Sequence, residues 1–196
     1  GHELTYHPGE TNLRAADIVV INKANVARPE DVEAVLRNTQ RRNPKAVVIR
    51  GESRLSVDNE AMVRGKRVLT VEDGPTVTHG EMPFGAAKVA AEQFGAAVVV
   101  DPRPFAVGSI QDTFQKYAHL GTSLPAMGYS GQQVRELEQT INAVDCDTVL
   151  FATPIDLGRL LKIDKPSVRV RYELADMKGP TLGAQIDKLL TKLGRR

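Results

Sequence analysis

One stretch sets the order of strand and helix in this chain, Thr70-Val71-Glu72-Asp73-Gly74-Pro75-Thr76-Val77-Thr78-His79-Gly80-Glu81-Met82-Pro83-Phe84-Gly85-Ala86-Ala87. At its start, residues 67–71 are apolar at Val68, Leu69 and Val71, which predicts a short buried strand. At its end, residues 83–94 predict a helix, because Pro is tolerated in a first helical turn and good helix formers follow. A strand that leads through a glycine-bearing loop into a helix is typical of an α/β protein.

The loop inside this stretch predicts an anion-binding site. Glycine allows a backbone to approach a ligand closely, and a helix N-terminus offers free N–H donors and a partial positive charge. Histidine can donate or accept a proton near neutral pH. We therefore expect functional groups here, with Gly74, Thr76, Thr78 and Gly80 in substrate binding and Asp73 and His79 in catalysis. The alternative is a connecting loop with polar turn residues and an N-cap.

Composition excludes several classes of protein. The chain has 196 residues, enough for one large domain or two small ones with a real core. Its 26 basic and 24 acidic residues give a net charge of +2, too little for a typical nucleic-acid-binding protein, so we expect no nucleic-acid partner. The sequence shows neither a signal peptide nor an apolar run near twenty residues, so we expect no membrane partner and a cytoplasmic location. The single cysteine, Cys146, excludes an internal disulfide framework.

A second motif follows the first predicted strand. Residues 17–21 form a continuous apolar run of β-branched residues and lead directly into Asn22-Lys23-Ala24-Asn25. This spacing resembles the Asn-Lys-x-Asp motif of GTP-binding proteins, and it predicts nucleotide binding by Asn22, Lys23 and Asn25, with Ser53 after the next strand as a second base-contacting segment. Position 25 is Asn where the motif has Asp, and an amide offers a donor as well as an acceptor, so we expect no strong preference for guanine.

Strands alternate with helices along the whole chain. This pattern predicts an α/β fold with a mostly parallel sheet and helices on both faces, Rossmann-like or P-loop NTPase-like. In such sheets ligands bind beyond the carboxyl ends of the strands. The predicted strands are 17–21, 45–50, 67–71, 96–100, 147–152 and 168–172, the predicted helices are 29–42, 83–94, 110–117, 132–143 and 180–193, and the predicted loops include 1–16, 51–53 and 124–131. Residues 56–66 look like a connector with a short helix, which predicts a domain boundary there. We expect the C-terminal part of a P-loop nucleotide-binding domain at 1–60 and an α/β substrate-binding domain at 61–196.

Three arginines are candidate anion ligands. Arg103 lies between two prolines, which restrict where its guanidinium can point. Such an arginine can be an anion clamp with a catalytic role, or it can form a structural ion pair with Asp101 or Asp73. Alternation along 168–172 places Arg169 and Arg171 on one face of a strand, where they can bind substrate. Near the start of the chain, His2 and His7 with two glutamates are either metal ligands or ordinary polar residues, so the sequence leaves the metal ligands unknown.

The chain resembles the carboxyl-terminal part of the cyclic 2,3-diphosphoglycerate synthetase family, whose members are often described as GTPases. The resemblance implies a P-loop NTPase that uses ATP or GTP with Mg²⁺ to close an intramolecular phosphoanhydride on a small phosphorylated substrate. It also implies that the Walker A loop lies upstream of residue 1, since no G-x-x-x-x-G-K-S/T motif occurs in this sequence. The stretches that carry the resemblance are 2–12, 21–23, 71–80, 101–104, 124–129 and 168–174.

Two classes of function follow from these observations. The first is an ATP- or GTP-dependent phosphoryl-transfer enzyme or ligase of which this chain is one portion, without nucleotide hydrolysis of its own. The second is a GTPase-like regulatory or assembly module that catalyses no reaction. In either case we expect an exposed sheet edge to drive self-association, for example into a homodimer, or to pair with strands from a partner.

Overall fold

The computed structural model describes residues 2–79, 83–128 and 130–194, and the chain divides into two units. The first unit comprises Gly1–Arg54 and Glu173–Arg196, and the second is Leu55–Tyr172. In chain order the α-helices and strands are α1 (Gly9–Ala15), β1 (Ile18–Ile21), α2 (Pro29–Arg42), β2 (Val47–Val57), β3 (Arg67–Asp73), α3 (Gly74–His79), α4 (Ala86–Gln93), β4 (Val98–Val99), α5 (Gly108–Lys116), β5 (Leu124–Ala126), α6 (Gly131–Ala143), β6 (Thr148–Ala152), α7 (Leu157–Leu160), β7 (Ser167–Asp176) and α8 (Leu182–Lys192).

The first unit is built on β1 and β2. The two strands run parallel, in a register that pairs Ile18 with Val47 and Ile21 with Arg50, and β7 follows β2 in the strand order. Helix α2 begins at Pro29, whose fixed φ suits a first helical position, and it has acidic residues in its first turn and basic residues in its last turn. Asn43 is the C-cap that follows the last helical residue. Its buried side-chain amide donates hydrogen bonds to the backbone carbonyls of Leu13 and Ala16.

The second unit is organised around β3. Strand β6 pairs with β3 along residues Val68 to Glu72, β4 pairs with the first residues of β3, and β5 pairs with the last. Strand β7 joins the other side of β6, and all of these pairs are parallel. Parallel strands need helical crossovers, which explains why helices separate most of them in the sequence.

Both faces of this sheet are covered. Leu69 and Val71 of β3 pack with Ile110 of α5 and with α6 in one buried cluster. Val68 points to the opposite side and packs in a second cluster with the alanines of α4. Successive strand residues alternate between the two faces, so the continuous apolar run of β3 serves both clusters. The predicted α/β fold with a parallel sheet and helices on both faces is confirmed.

Several local predictions were wrong. Residues 9–15 form α1 where a loop was expected, and residues 51–53 continue β2 to Val57 instead of ending it. Residues 124–126 form β5, where the loop 124–131 was expected. Residues 74–79 form a short helix where the central loop was expected, and α4 begins at Ala86 after an N-cap at Gly85, three residues later than Pro83. None of the described helices has both the length and the apolar character needed to cross a bilayer.

Candidate functional site

The region after β3 is more ordered than a glycine loop. Asp73, the last residue of the strand, accepts a 2.6 Å hydrogen bond from the Thr76 hydroxyl. Thr78 is buried, and its hydroxyl donates to the Gly74 carbonyl one turn earlier in α3. A side chain at position 74 would collide with the backbone of Ala126 in β5, so packing alone explains this glycine. The side chain of His79 and the whole of Gly80 lie outside the described residues.

The N-terminus of α4 already carries an anion. The Glu72 carboxylate accepts hydrogen bonds from the backbone N–H groups of Gly85, Ala87 and Lys88, at 3.1, 3.1 and 2.9 Å. Glu72 is 1% exposed, and burial raises its pKa more than these hydrogen bonds lower it. Backbone donors at the start of this helix, which were predicted to bind a ligand, are therefore bound by a side chain of the protein itself. Glycine at position 85 is required because a Cβ would collide with the same carboxylate.

Arg103 is held by Asp101. Its Nη2 atom lies 2.6 Å from Asp101 Oδ2 and its Nε atom lies 2.9 Å from Asp101 Oδ1, so the guanidinium engages the carboxylate with two nitrogens. The hydrogen bond from Arg103 holds the pKa of the Asp101 carboxyl below its usual range. Of the two alternatives that the sequence left open for Arg103, the structure shows the ion pair with Asp101. Its role as an anion clamp stays a prediction.

The structure brings together the two predicted nucleotide-binding segments of the first unit. The Asn25 side-chain oxygen accepts a 3.1 Å hydrogen bond from the backbone N–H of Ser53, and the Ala24 N–H donates to the Gly51 carbonyl at 2.9 Å. Asn22 accepts a hydrogen bond from the backbone N–H of Lys23, which has a positive φ of 59°. The turn after β1 is therefore fixed against β2, with the Lys23 side chain exposed.

A small cavity in the second unit is lined by both predicted substrate-binding arginines. It has a volume of about 140 Å³ and lies where β6 ends and β7 runs past it. Arg169 donates to the Pro154 carbonyl at 3.0 Å and lies 3.8 Å from Asp156 Oδ2. Two nitrogens of Arg171 lie 3.0 Å from Asp58 Oδ1. The cavity therefore brings together two arginines and two aspartates.

Some partners of these groups were not predicted from the sequence. Asp58 is 113 residues from Arg171 in the chain, and no local pattern relates them. The cap formed by Glu72 was missed for the same reason. Asp156 belongs to the loop 153–156, which follows the predicted strand 147–152 at the sheet end where ligands bind, but no role of its own was predicted for it. Within the described residues, no group of three or more His, Cys, Asp or Glu side chains is placed to hold a metal ion.

No protein-family model matches this chain. It is 54% identical over 182 residues, 93% of its length, to a protein of Thermococcus kodakarensis (strain ATCC BAA-918 / JCM 12380 / KOD1) named arginine synthetase ArcE. The chain covers 41% of the length of that relative. The name of this relative is that of a synthetase, which agrees with the predicted ligase class. It is not the name of a cyclic 2,3-diphosphoglycerate synthetase.

Proposed function

We propose that this chain is part of a nucleotide-dependent ligase that makes or uses arginine or a closely related amino acid. The observation that supports this function is the 54% identity over 93% of the chain to a protein named arginine synthetase. The parallel α/β fold agrees with it, since ligands of such sheets bind beyond the strand ends, where the candidate groups lie. Fold alone would not carry the function, because one fold serves many reactions.

The turn after β1 is the proposed base-binding element. Asn25 uses its side-chain oxygen to hold Ser53, which leaves the side-chain N–H₂ group available as a donor to a purine. The exposed Lys23 has an apolar stem that can lie against the base while its ammonium group stays in water. These residues therefore fit the base of ATP or GTP. No Walker A motif for the phosphates occurs in this sequence, so the proposal for this chain is limited to the base.

Mg²⁺ would enter the site together with the nucleotide. In nucleotide-dependent enzymes one or two carboxylates usually bind the ion together with the phosphates, so a preformed cluster of three protein ligands is not required. Glu72 caps α4, whereas within the described residues the Asp73 side chain at the end of β3 accepts a hydrogen bond only from the Thr76 hydroxyl. Asp73 is therefore the better candidate of the two for contact with the metal.

The second candidate reaction is closure of a phosphoanhydride on a phosphoglycerate-like substrate. Its support is the resemblance of residues 71–80 and 101–104 to the cyclic 2,3-diphosphoglycerate synthetases. A polyanionic substrate needs several free cations. In the structure Arg103 and Arg171 are paired with Asp101 and Asp58, which favours the arginine-related reaction.

An assay of the complete protein tests this function. A ligase that makes arginine forms one of its C–N bonds at the expense of a nucleoside triphosphate. In the reverse direction that bond of arginine breaks, an amine leaves, and a nucleoside diphosphate and inorganic phosphate with Mg²⁺ should yield measurable ATP or GTP. Lys23→Ala in the complete protein should raise the nucleotide concentration needed for half-maximal rate, and the 196-residue chain alone should give no turnover. Triphosphate consumption with 2,3-diphosphoglycerate, and no reaction with arginine, would establish the second candidate. No nucleotide turnover with either substrate would favour a regulatory or assembly module.

A further inference from the structure

The cavity at the end of β6 contains an ion pair that is not closed. Arg169 Nη1 and Asp156 Oδ2 are 3.8 Å apart, which is too long for a hydrogen bond. Arg169 also donates a hydrogen bond to the Pro154 carbonyl, and the guanidinium of Arg159 lies 3.5 Å from the Asp156 carboxylate. Among the described residues, no hydrogen bond to the Asp156 carboxylate is present. The pair thus keeps unused donors on one side and unused acceptors on the other.

The two groups are also partly shielded from water. The side chains of Arg169 and Asp156 are 31% and 40% exposed, and the buried residues Phe151 and Leu157 form apolar wall next to them. Partial burial strengthens electrostatic interactions relative to open solvent. By contrast, Arg171 and Asp58 are each more than half exposed and close on one another at 3.0 Å. The unsatisfied pair is therefore the part of the cavity best suited to hold a ligand.

The charges of the cavity favour a zwitterion. The charges of the two arginines and two aspartates that line the cavity cancel, and Arg159, which reaches Asp156 from outside the lining, is 89% exposed and screened by water. A phosphate in the cavity would meet repulsion from the aspartates together with attraction from the arginines. An α-amino acid carries its carboxylate and its ammonium group on adjacent atoms. It can accept hydrogen bonds from a guanidinium and donate to a carboxylate at the same time.

We propose that this cavity binds a free α-amino acid, with the ligand carboxylate on the guanidinium of Arg169 and the ligand ammonium group on the carboxylate of Asp156. The apolar wall of Phe151 and Leu157 contacts the aliphatic part of the ligand side chain. The choice of arginine as the probe rests on the proposed function, and the site supplies the amino-acid subsite of that reaction.

Calorimetric titration of the 196-residue chain with L-arginine tests the site. L-arginine should bind, and Arg169→Gln should weaken binding at least tenfold. Arg64→Gln is the matched control, because Arg64 lies in the same unit and is exposed, and its ion pair among the described residues is with Glu60, four residues earlier. Agmatine, which lacks the carboxylate, should bind at least tenfold more weakly than L-arginine, and inorganic phosphate should not compete.

Several results would overturn the site. These are no binding of L-arginine, equal binding by Arg169→Gln, equal binding of agmatine, or tighter binding of phosphate. If circular dichroism shows that Arg169→Gln is unfolded, Asp156→Asn provides the same test from the other end of the pair. Arginine binding at Arg169 without nucleotide turnover in the complete protein keeps the site and rejects the ligase function. Turnover with arginine that Arg169→Gln leaves unchanged keeps the function and rejects the site.

Discussion

Lys88 donates its backbone N–H to the Glu72 carboxylate across 2.9 Å, and so ties the end of β3 to the first turn of α4. Two further backbone N–H groups share the same carboxylate, so one buried side chain satisfies most of the donors that a helix N-terminus leaves free. The interaction joins residues that are 16 apart in the chain and fixes where α4 begins.

Removing this cap should destabilise the protein. We expect Glu72→Ala to lower the free energy of unfolding by about 2–4 kcal/mol, because three backbone donors lose their acceptor in a buried place. Chemical denaturation monitored by circular dichroism measures this change. Glu92→Ala is the matched control, since Glu92 lies on the exposed surface of the same helix and should change stability by about 0.5 kcal/mol or less. Equal effects of the two substitutions would show that the cap contributes nothing specific.

Glu72 should also make stability depend on pH. Burial raises its pKa in the folded state above the ordinary value of 4.5, so between these two values the folded protein binds more protons than the unfolded chain. Stability from this group is therefore fully present below 4.5 and is lost as the pH rises through the folded pKa. The difference in unfolding free energy between the wild type and Glu72→Gln should fall across this range. A difference that grows with pH would mean that the hydrogen bonds outweigh the burial.

Base selectivity should respond to position 25. Asn25→Asp keeps a side-chain oxygen that can accept the hydrogen bond from the Ser53 N–H. It also replaces the amide donor with a second acceptor oxygen, and guanine N1–H and N2–H₂ are donors that need acceptors. We expect the complete protein to shift toward GTP by roughly 10- to 100-fold, the discrimination of one bidentate base contact. Competition binding between ATP and GTP measures the shift. Asn25→Ala, which lacks both groups, should weaken binding of both nucleotides alike. If the wild type already binds GTP much more tightly than ATP, a residue other than Asn25 selects guanine and the prediction fails.

Arg103 offers a test of structural pairing against ligand binding. The ion pair with Asp101 is partly exposed and screened by water, so Arg103→Ala should change stability little, measured by denaturant unfolding. The anion clamp predicted from the sequence requires more, namely a clear loss of substrate affinity in the complete protein. Asp101→Asn breaks the same pair while leaving the guanidinium in place. Weaker substrate binding in Arg103→Ala but not in Asp101→Asn would establish the clamp, and no change in either would leave only the ion pair.

The sequence predicted best those elements whose ends have local signals. Helix α2 was predicted with its observed bounds, because Pro29 suits a helix start and Asn43-Pro44 breaks a helix. The predicted helix at 132–143 corresponds to α6, whose start carries a local signal, a capping box formed by Ser130 and Gln133. Strand β3 was predicted from its apolar run, since burial on both faces of a parallel sheet demands one.

Elements defined by distant contacts were missed. Strand β5 contains Pro125, which normally argues against a strand, but pairing with the end of β3 overrides that preference. The Gly74-Pro75 start of α3 resembles a turn. At the candidate site the arginines were identified from their spacing, whereas Asp58 and Glu72 are related to their partners only by the folded chain.

The division of the chain has a consequence for the order in which the units are completed. Leu55–Tyr172 is one uninterrupted segment, whereas the other unit needs both Gly1–Arg54 and Glu173–Arg196. Because a ribosome builds the chain from its amino end, all residues of the inserted unit are available before the outer unit receives its last strand residues and α8. Until Glu173–Arg196 has been synthesised, the outer unit is therefore incomplete. In this state the Arg50 carbonyl lacks the hydrogen bond that the Met177 N–H donates to it in the finished protein.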